Sequence, residues 1–406
     1  MLDEPVPLHG TGYHPDPYRL YSRMRREGPV HRVAFPAVDA WLVTGYDAAR
    51  ATLTDRRIGK NHALGNDAWR AKASIMPEPQ HSELQAHLLH QDGADHARMR
   101  SLVMDALSPA ASELARPRIR EIAGALVDDF PDSGQTDLVA SFAARLPFLV
   151  LAETLGLPAE LVDRFDRDWR LVVQPVGPDS PLRPVYEARL RALQRYIGDV
   201  VQDQRDHERP CLLGTLVRAH DRGVLRRAEL DSMIFQLLVA GQEPVTNQLS
   251  TMFVALLQHP EALDALRADP GLLPSAVEEL LRYDSAFELT TWRFLPSTSD
   301  LHGRTVTGGD SIIVSLCAAN RDEREFDRAD ELVLDRNPNP HLAFGHGKHY
   351  CPGAALARIE FQVALEVLLC RLESLSLACD PAELEWTPAV LARGVDRLPV
   401  LFERRA

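Results

Sequence analysis

Apolar residues at Ile234, Leu238, Gly241, Val245, Leu249, Met252 and Leu256 recur with a helical period, which predicts one long helix over residues 231–257 with a buried stripe. Pro244 interrupts that stripe. A second helical run follows at 354–369, and helical periods dominate from about residue 90 to 282. They break at 174–184, where Pro175, Gly177, Pro178, Pro181 and Pro184 crowd together. Two β-leaning regions bracket the helices. Val30 to Val33 and Ala40 to Thr44, around Pro36, read as a hairpin followed by a short helix at 46–54, and 288–316 reads as a second strand region. The segment 60–90 loosens into a long loop of the kind that carries function, and 386–402 reads as a loop or hairpin. The pattern is mainly α with minor β.

With 406 residues and 45% hydrophobic content, the chain can bury a large core. Its 45 basic and 58 acidic residues give a formal charge of -13, which argues against nucleic acid or an anionic membrane as partner. Cysteines 211, 317, 351, 370 and 379 are scattered and odd in number, so no disulfide framework is expected and a reducing cytoplasm fits. Residues 1–13 hold acids, prolines and histidines instead of an apolar run, so neither a signal peptide nor a membrane anchor is expected.

The densest chemistry lies in Phe344-Gly345-His346-Gly347-Lys348-His349-Tyr350-Cys351-Pro352-Gly353. Glycines permit a tight turn, Pro352 suits a first helical position, and a cysteine at a helix N-terminus favours the thiolate that ligates metal. Taken alone, Cys351 could equally be a small buried hydrophobe, or a zinc ligand beside His341, His346 and His349. The ten-residue string as a whole resembles the cysteine-ligand loop of the cytochrome P450 family. The resemblance runs from the hairpin onward and extends to Ala318-Ala319-Asn320-Arg321-Asp322 and His341-Leu342-Ala343-Phe344.

That resemblance implies a cytochrome P450 fold in a single domain over 1–406, with about 1–60 and 285–342 supplying the β-rich lobe. It implies haem b, with Cys351 as axial ligand of the iron and Phe344, Gly345 and Gly353 shaping the loop. His96 and Arg100, four apart and on one helix face, look like the family's propionate-binding helix, and Arg293 and His349 match two further propionate contacts. The isolated H-x-x-x-R spacing would otherwise read as a solvated face. Glu279 and Arg282, three apart, resemble the structural E-x-x-R pair. Electrons would come from a ferredoxin and ferredoxin reductase in the cytoplasm, with molecular oxygen and a small-molecule natural product as substrates. Lys348, Arg98 and Arg100 are candidates for a ferredoxin-docking face.

At the centre of the long helix the family usually has Ala-Gly-x-acid-Thr. Here Ala240-Gly241-Gln242-Glu243-Pro244-Val245-Thr246 keeps the acid and replaces the alcohol by proline. Pro244 removes the N–H that would bond the Ala240 carbonyl, at a cost of about 3 kcal/mol in an ordinary helix interior, so a kink or opening is expected. Thr246, two residues on and rotated about 200°, should face away. Gly241, Glu243 and Pro244 are therefore the candidate catalytic positions, with Glu243 and water, or a polar group of the substrate, replacing the alcohol in proton delivery. Oxidative aromatic coupling, for example of an aromatic cyclic dipeptide, and peroxide-driven turnover are alternatives that bypass that alcohol. Pro352, where an aliphatic residue is commoner, should leave the thiolate one N–H donor poorer.

Substrate-facing segments implied by the resemblance are 60–90, 172–186, 238–245, 287–291 and 391–395, with Leu238, Gln242, Phe287, Thr290 and Val395 as contacts. Trp69, Met76, Gln80, His81, Glu288, Leu391 and Arg393 make that set mixed, which suits a medium-sized, partly polar natural product. The competing class is a non-catalytic haem-thiolate sensor or partner-activating protein.

Overall fold

The computed structural model describes residues 5–8, 13, 15–35, 38–72, 83–165, 180–387 and 391–405. Pro36, Met76, Gln80, His81 and most of the proline-rich break lie outside them.

A five-stranded sheet is built from β1 (Val6–Pro7), β2 (Val30–Ala34), β3 (Asp39–Val43), β4 (Arg293–Phe294) and β5 (Ser311–Val314), in the order β1-β2-β3-β5-β4. The expected hairpin is present: β2 and β3 pair antiparallel with Val30 opposite Val43. β3 then pairs parallel with β5, Trp41 opposite Ile312, so the two distant β regions form one sheet. Ile312, Ile313 and Val314 are fully buried there, as the near-continuous apolar run of an interior strand requires. The helix at Tyr46–Thr54 lies where its period placed it. The chain end, expected as a loop or hairpin, is a bridged loop followed by a strand. An antiparallel bridge joins Trp386 to Val395, and Pro399–Arg404 is the central strand between Ser133–Asp137 and Leu372–Leu377.

Most of the remainder is helical. Six helices position the site: α1 (Gly93–Met104), α2 (Pro109–Asp128), α3 (Arg227–Ala240), α4 (Glu243–Gln258), α5 (Leu273–Tyr283) and α6 (Ala354–Arg371). The largest apolar core gathers side chains from all of them, including Met99, Ile119, Leu238, Leu249, Leu280 and Phe361.

The long helix expected over 231–257 is two helices. α3 ends at Ala240 and α4 begins at Glu243, with Gln242 between them at φ -109°, ψ -67°. The physical reason is Pro244. Because the helix restarts at Glu243, the proline occupies its first turn, where the missing N–H has no intrahelical partner to lose and the interior penalty is avoided. Gly241 permits the close approach. A Cβ there would lie 2.8 Å from both Leu151 Cδ1 and the Leu237 carbonyl oxygen.

Candidate functional site

Cys351 is half-buried in a loop that folds back on itself: its N–H donates to the Phe344 carbonyl at 3.0 Å. Gly345 (φ +73°) and Gly347 (φ +76°) adopt the left-handed conformation that glycine tolerates, and a Cβ on Gly347 would meet the Leu53 carbonyl oxygen at 2.9 Å. α6 starts only at Ala354, with Gly353 as its N-cap. Cys351 and Pro352 therefore precede the helix instead of opening it. Burial pushes the Cys351 thiol up, opposed by the Gly353 N–H and by Arg100 and Arg358. This corrects the expectation that a helix N-terminus at Cys351 favours the thiolate. A bound metal would do so, since coordination deprotonates a thiol outright. Phe344 is pinned beneath the loop, with the Arg358 guanidinium 4.5 Å from its ring centre.

Four basic side chains from three separate segments meet beside this loop. His96 and Arg100 come from α1, Arg293 from β4 and His349 from the cysteine loop; the His96 and His349 rings are 4.2 Å apart. Each carries a buried polar atom without a hydrogen-bond partner: His96 Nε2, Arg100 Nη1, Arg293 Nε and both nitrogens of His349. Desolvation lowers all four, Arg293 to about 10 and His349 to about 3, the latter against the pull of Asp92. Such a set of orphaned donors and weakened cations is the complement of buried carboxylates, which need partners of this kind to leave water. The residues present fit a haem: these four side chains would hold its propionates and Cys351 would ligate its iron. Among the described residues no group of three His, Cys, Asp or Glu is arranged to hold a metal ion, and His341 bonds Glu278 at 2.9 Å.

Lys60 escaped the sequence reading. It is buried, bonds Thr291 Oγ1, and is held far below the usual lysine range by burial and then by Arg293. Asp92 holds the region together: it accepts from the Lys60 and Asn61 N–H groups at 2.7 and 3.1 Å and from Lys348 Nζ at 3.0 Å, and lies 3.6 Å from His349 Nε2. A signal existed, because the chain has only three lysines and Lys60 and Lys348 are two of them.

Arg98 is not a free docking cation. It donates to Glu229 at 2.9 and 3.1 Å and to Asp95 at 2.8 Å, fastening α1 to the start of α3. Glu279 and Arg282 form a fully buried bidentate pair at 2.8 Å. Arg282 also donates to the carbonyls of Asn320, Ala329 and Glu331, and Glu279 accepts from Arg336. That network ties α5 to the 320–336 segment leading into the cysteine loop.

On the oxygen side, Gly241 and Pro244 form the break, Glu243 opens α4 half-buried, and Gln242 is buried beside it. The Thr246 hydroxyl is buried without a partner. Of the expected substrate contacts, Leu238 and Val395 are packed in the main core at 1% and 2% exposure, and the Thr290 hydroxyl is occupied by the Val314 N–H at 3.1 Å. Phe287 is half-buried beside the β lobe and bridges Ala392. Glu288 is bound by the Tyr13 and Tyr21 hydroxyls, and Arg393 by Asp284 at 2.7 Å, so both are structural ties.

A mostly helical chain with small β-sheets, a half-buried cysteine on a glycine loop and a cluster of orphaned basic side chains beside it fits the class of haem-thiolate proteins. The sequence profile described as Cytochrome P450 matches residues 271–393. The chain is 39% identical over 401 residues to "Cytochrome P450 monooxygenase PikC" of Streptomyces venezuelae, covering 97% of this chain and 93% of that one. It is 38% identical over 386 residues to "Mycinamicin IV hydroxylase/epoxidase" of Micromonospora griseorubida, covering 94% of each. Among solved structures it superposes on "The cytochrome P450 enzyme CxnD for C-S bond formation in chuangxinmycin biosynthesis" with a TM-score of 0.90 at 32% identity, covering 98% of this chain and 97% of that one. This chain belongs to the cytochrome P450 family, and it is an oxidoreductase of the monooxygenase class whose cofactor is a haem iron.

Proposed function

We propose that this enzyme hydroxylates or epoxidises a medium-sized, partly polar natural product, using haem b, molecular oxygen and electrons relayed by a ferredoxin and its reductase in the cytoplasm. The observation that carries this reading is the set of orphaned polar atoms on His96, Arg100, Arg293 and His349 beside Cys351. Relatives named as a monooxygenase and as a hydroxylase/epoxidase support the reaction class. Bound haem supplies oxygen activation, and its thiolate ligand favours O–O cleavage. The chain's own residues bind the propionates, hold Cys351 in its loop and exclude water with the α3 and α4 stripe. No helix among the described residues is long and apolar enough to cross a membrane.

Proton delivery falls to Glu243, in the first turn of α4 next to the break, with the carbonyl of Ala240 left without its helical N–H donor. Oxidative coupling is the second reading, favoured by one observation: Pro244 stands where the alcohol would be, and coupling needs no inserted oxygen. Turnover under ¹⁸O₂ separates the two. One labelled oxygen in the product is expected; an oxidised, unlabelled product overturns hydroxylation in favour of coupling. Turnover supported by peroxide alone, without redox proteins, would establish the peroxygenase route instead.

A further inference from the structure

Between Lys60 and α1, three histidine rings pack against one another at tilts of 37° and 40°. The His62 and His90 centroids are 3.7 Å apart and those of His87 and His90 4.4 Å, while the Trp69 ring lies 4.9 Å from His62. Gln85 fixes two of the three. His62 Nδ1 is 2.7 Å from Gln85 Oε1, so with that oxygen accepting, Nδ1 carries the proton and Nε2 is bare. The His90 ring donates to the Gln85 backbone carbonyl, which leaves its Nδ1 bare. His62 Nε2, His90 Nδ1, His87 Nδ1 and Trp69 Nε1 are all buried and without a partner. Trp69, His87 and His90 are 1%, 4% and 9% exposed. Buried polar atoms normally find partners, and four orphans in one cluster are too many for packing alone.

We infer that His62, His90 and Trp69 form an anchoring site for a neutral hydroxyl group of the substrate, a phenol or an alcohol. A hydroxyl matches the set because it donates once and accepts once: its hydrogen goes to a bare imidazole nitrogen and its oxygen receives the Trp69 N–H. An ether oxygen can only accept, and so loses the imidazole. A cationic amine has donors but no acceptor, and so leaves the Trp69 N–H unpaired. The cluster is placed for this role: His87 stands 6.5 Å from Phe235, on α3 and less than two turns before the break at Gly241. The inference rests on the proposed natural-product chemistry and assigns the substrate a polar handle.

The test uses the haem-loaded enzyme with two probes, 4-phenylphenol and its methyl ether, 4-methoxybiphenyl, their affinities measured by equilibrium dialysis. The phenol should bind about tenfold more tightly, the worth of roughly one buried hydrogen bond. In His62→Phe and His90→Phe the ratio should fall towards one while the ether's affinity holds. Equal binding by the wild type, or an undiminished ratio in both variants, overturns the site. A second measurement needs no variant. In ¹⁵N-histidine spectra of the ferrous carbon monoxide complex, the bare-nitrogen resonances should move on adding the phenol and stay in place with the ether; no movement overturns the site. Neither readout requires turnover, so a failed ¹⁸O₂ experiment would overturn the proposed reaction and leave this result to be judged separately.

Discussion

At the scale of single residues, the cysteine loop is held by charge as much as by glycine geometry. Glu278 is desolvated by burial, which would raise its carboxyl, yet hydrogen bonds from His341 and from Arg358 at 2.6 and 2.8 Å outweigh that and hold it at about 2. A carboxyl depressed in the folded state adds stability that is complete above its unfolded value of about 4.3 and is lost as pH falls towards 2. Glu278→Gln should therefore flatten the decline of stability between about pH 4.5 and 2 while lowering stability at pH 7. Urea unfolding across that window measures it, and parallel curves for the two proteins would contradict the assignment. Pro244→Thr addresses the oxygen side. Restoring the alcohol should raise the fraction of reducing equivalents recovered in product and lower hydrogen peroxide release by several-fold; unchanged coupling would mean that Glu243 already suffices.

At the scale of elements, the break between α3 and α4 is set by two residues with different tasks. Pro244 ends one ladder, and Gly241 allows the loose turn to sit against Leu151. Gly241→Ala should cost about 1–3 kcal/mol through overpacking, because one of its two close neighbours is the Leu237 backbone carbonyl, which cannot swing aside. Thermal unfolding of the haem-loaded protein checks this, and a change under about 0.5 kcal/mol would show that the turn relaxes freely. The apolar period was legible because burial enforces it along both helices, so the stripe reads through the interruption. The division was less legible, since a proline inside a periodic run is compatible with a kink as well as a restart; only the first-turn position of Pro244 decides between them. The cysteine loop and the propionate residues were legible for a different reason, in that their residue types and spacing are dictated by the group they fit. Lys60, Asp92 and the Gln85-anchored histidines were not. Their meaning lies in contacts between segments far apart in sequence, and a lone lysine or aspartate in a loop carries no period. Leu238, Val395 and Thr290 stand as proposed substrate contacts, since an apolar or β-branched residue that lines a cavity looks the same in sequence as one packed behind it.

For the whole molecule, the buried Glu279–Arg282 pair is the joint between the helical body and the cysteine loop. Its three carbonyl partners cannot be satisfied by any shorter cation, and removing one member of a fully buried pair strands the other. Arg282→Met should cost about 3–5 kcal/mol and leave little protein able to retain haem, read as the yield of the carbon monoxide complex with thiolate-type absorption. Normal yield and stability would show that the network is dispensable.

The cradle also has a history in time. Its donors stand at positions 96, 100, 293, 349 and 351, and the sheet that carries Arg293 pairs residues 41–43 with 312–314. On a ribosome, the first strands of that sheet wait for some 270 further residues before their neighbour exists, and the cysteine emerges later still. The cradle in this chain is thus complete only after residues 293, 349 and 351 have been made, long after its first strands.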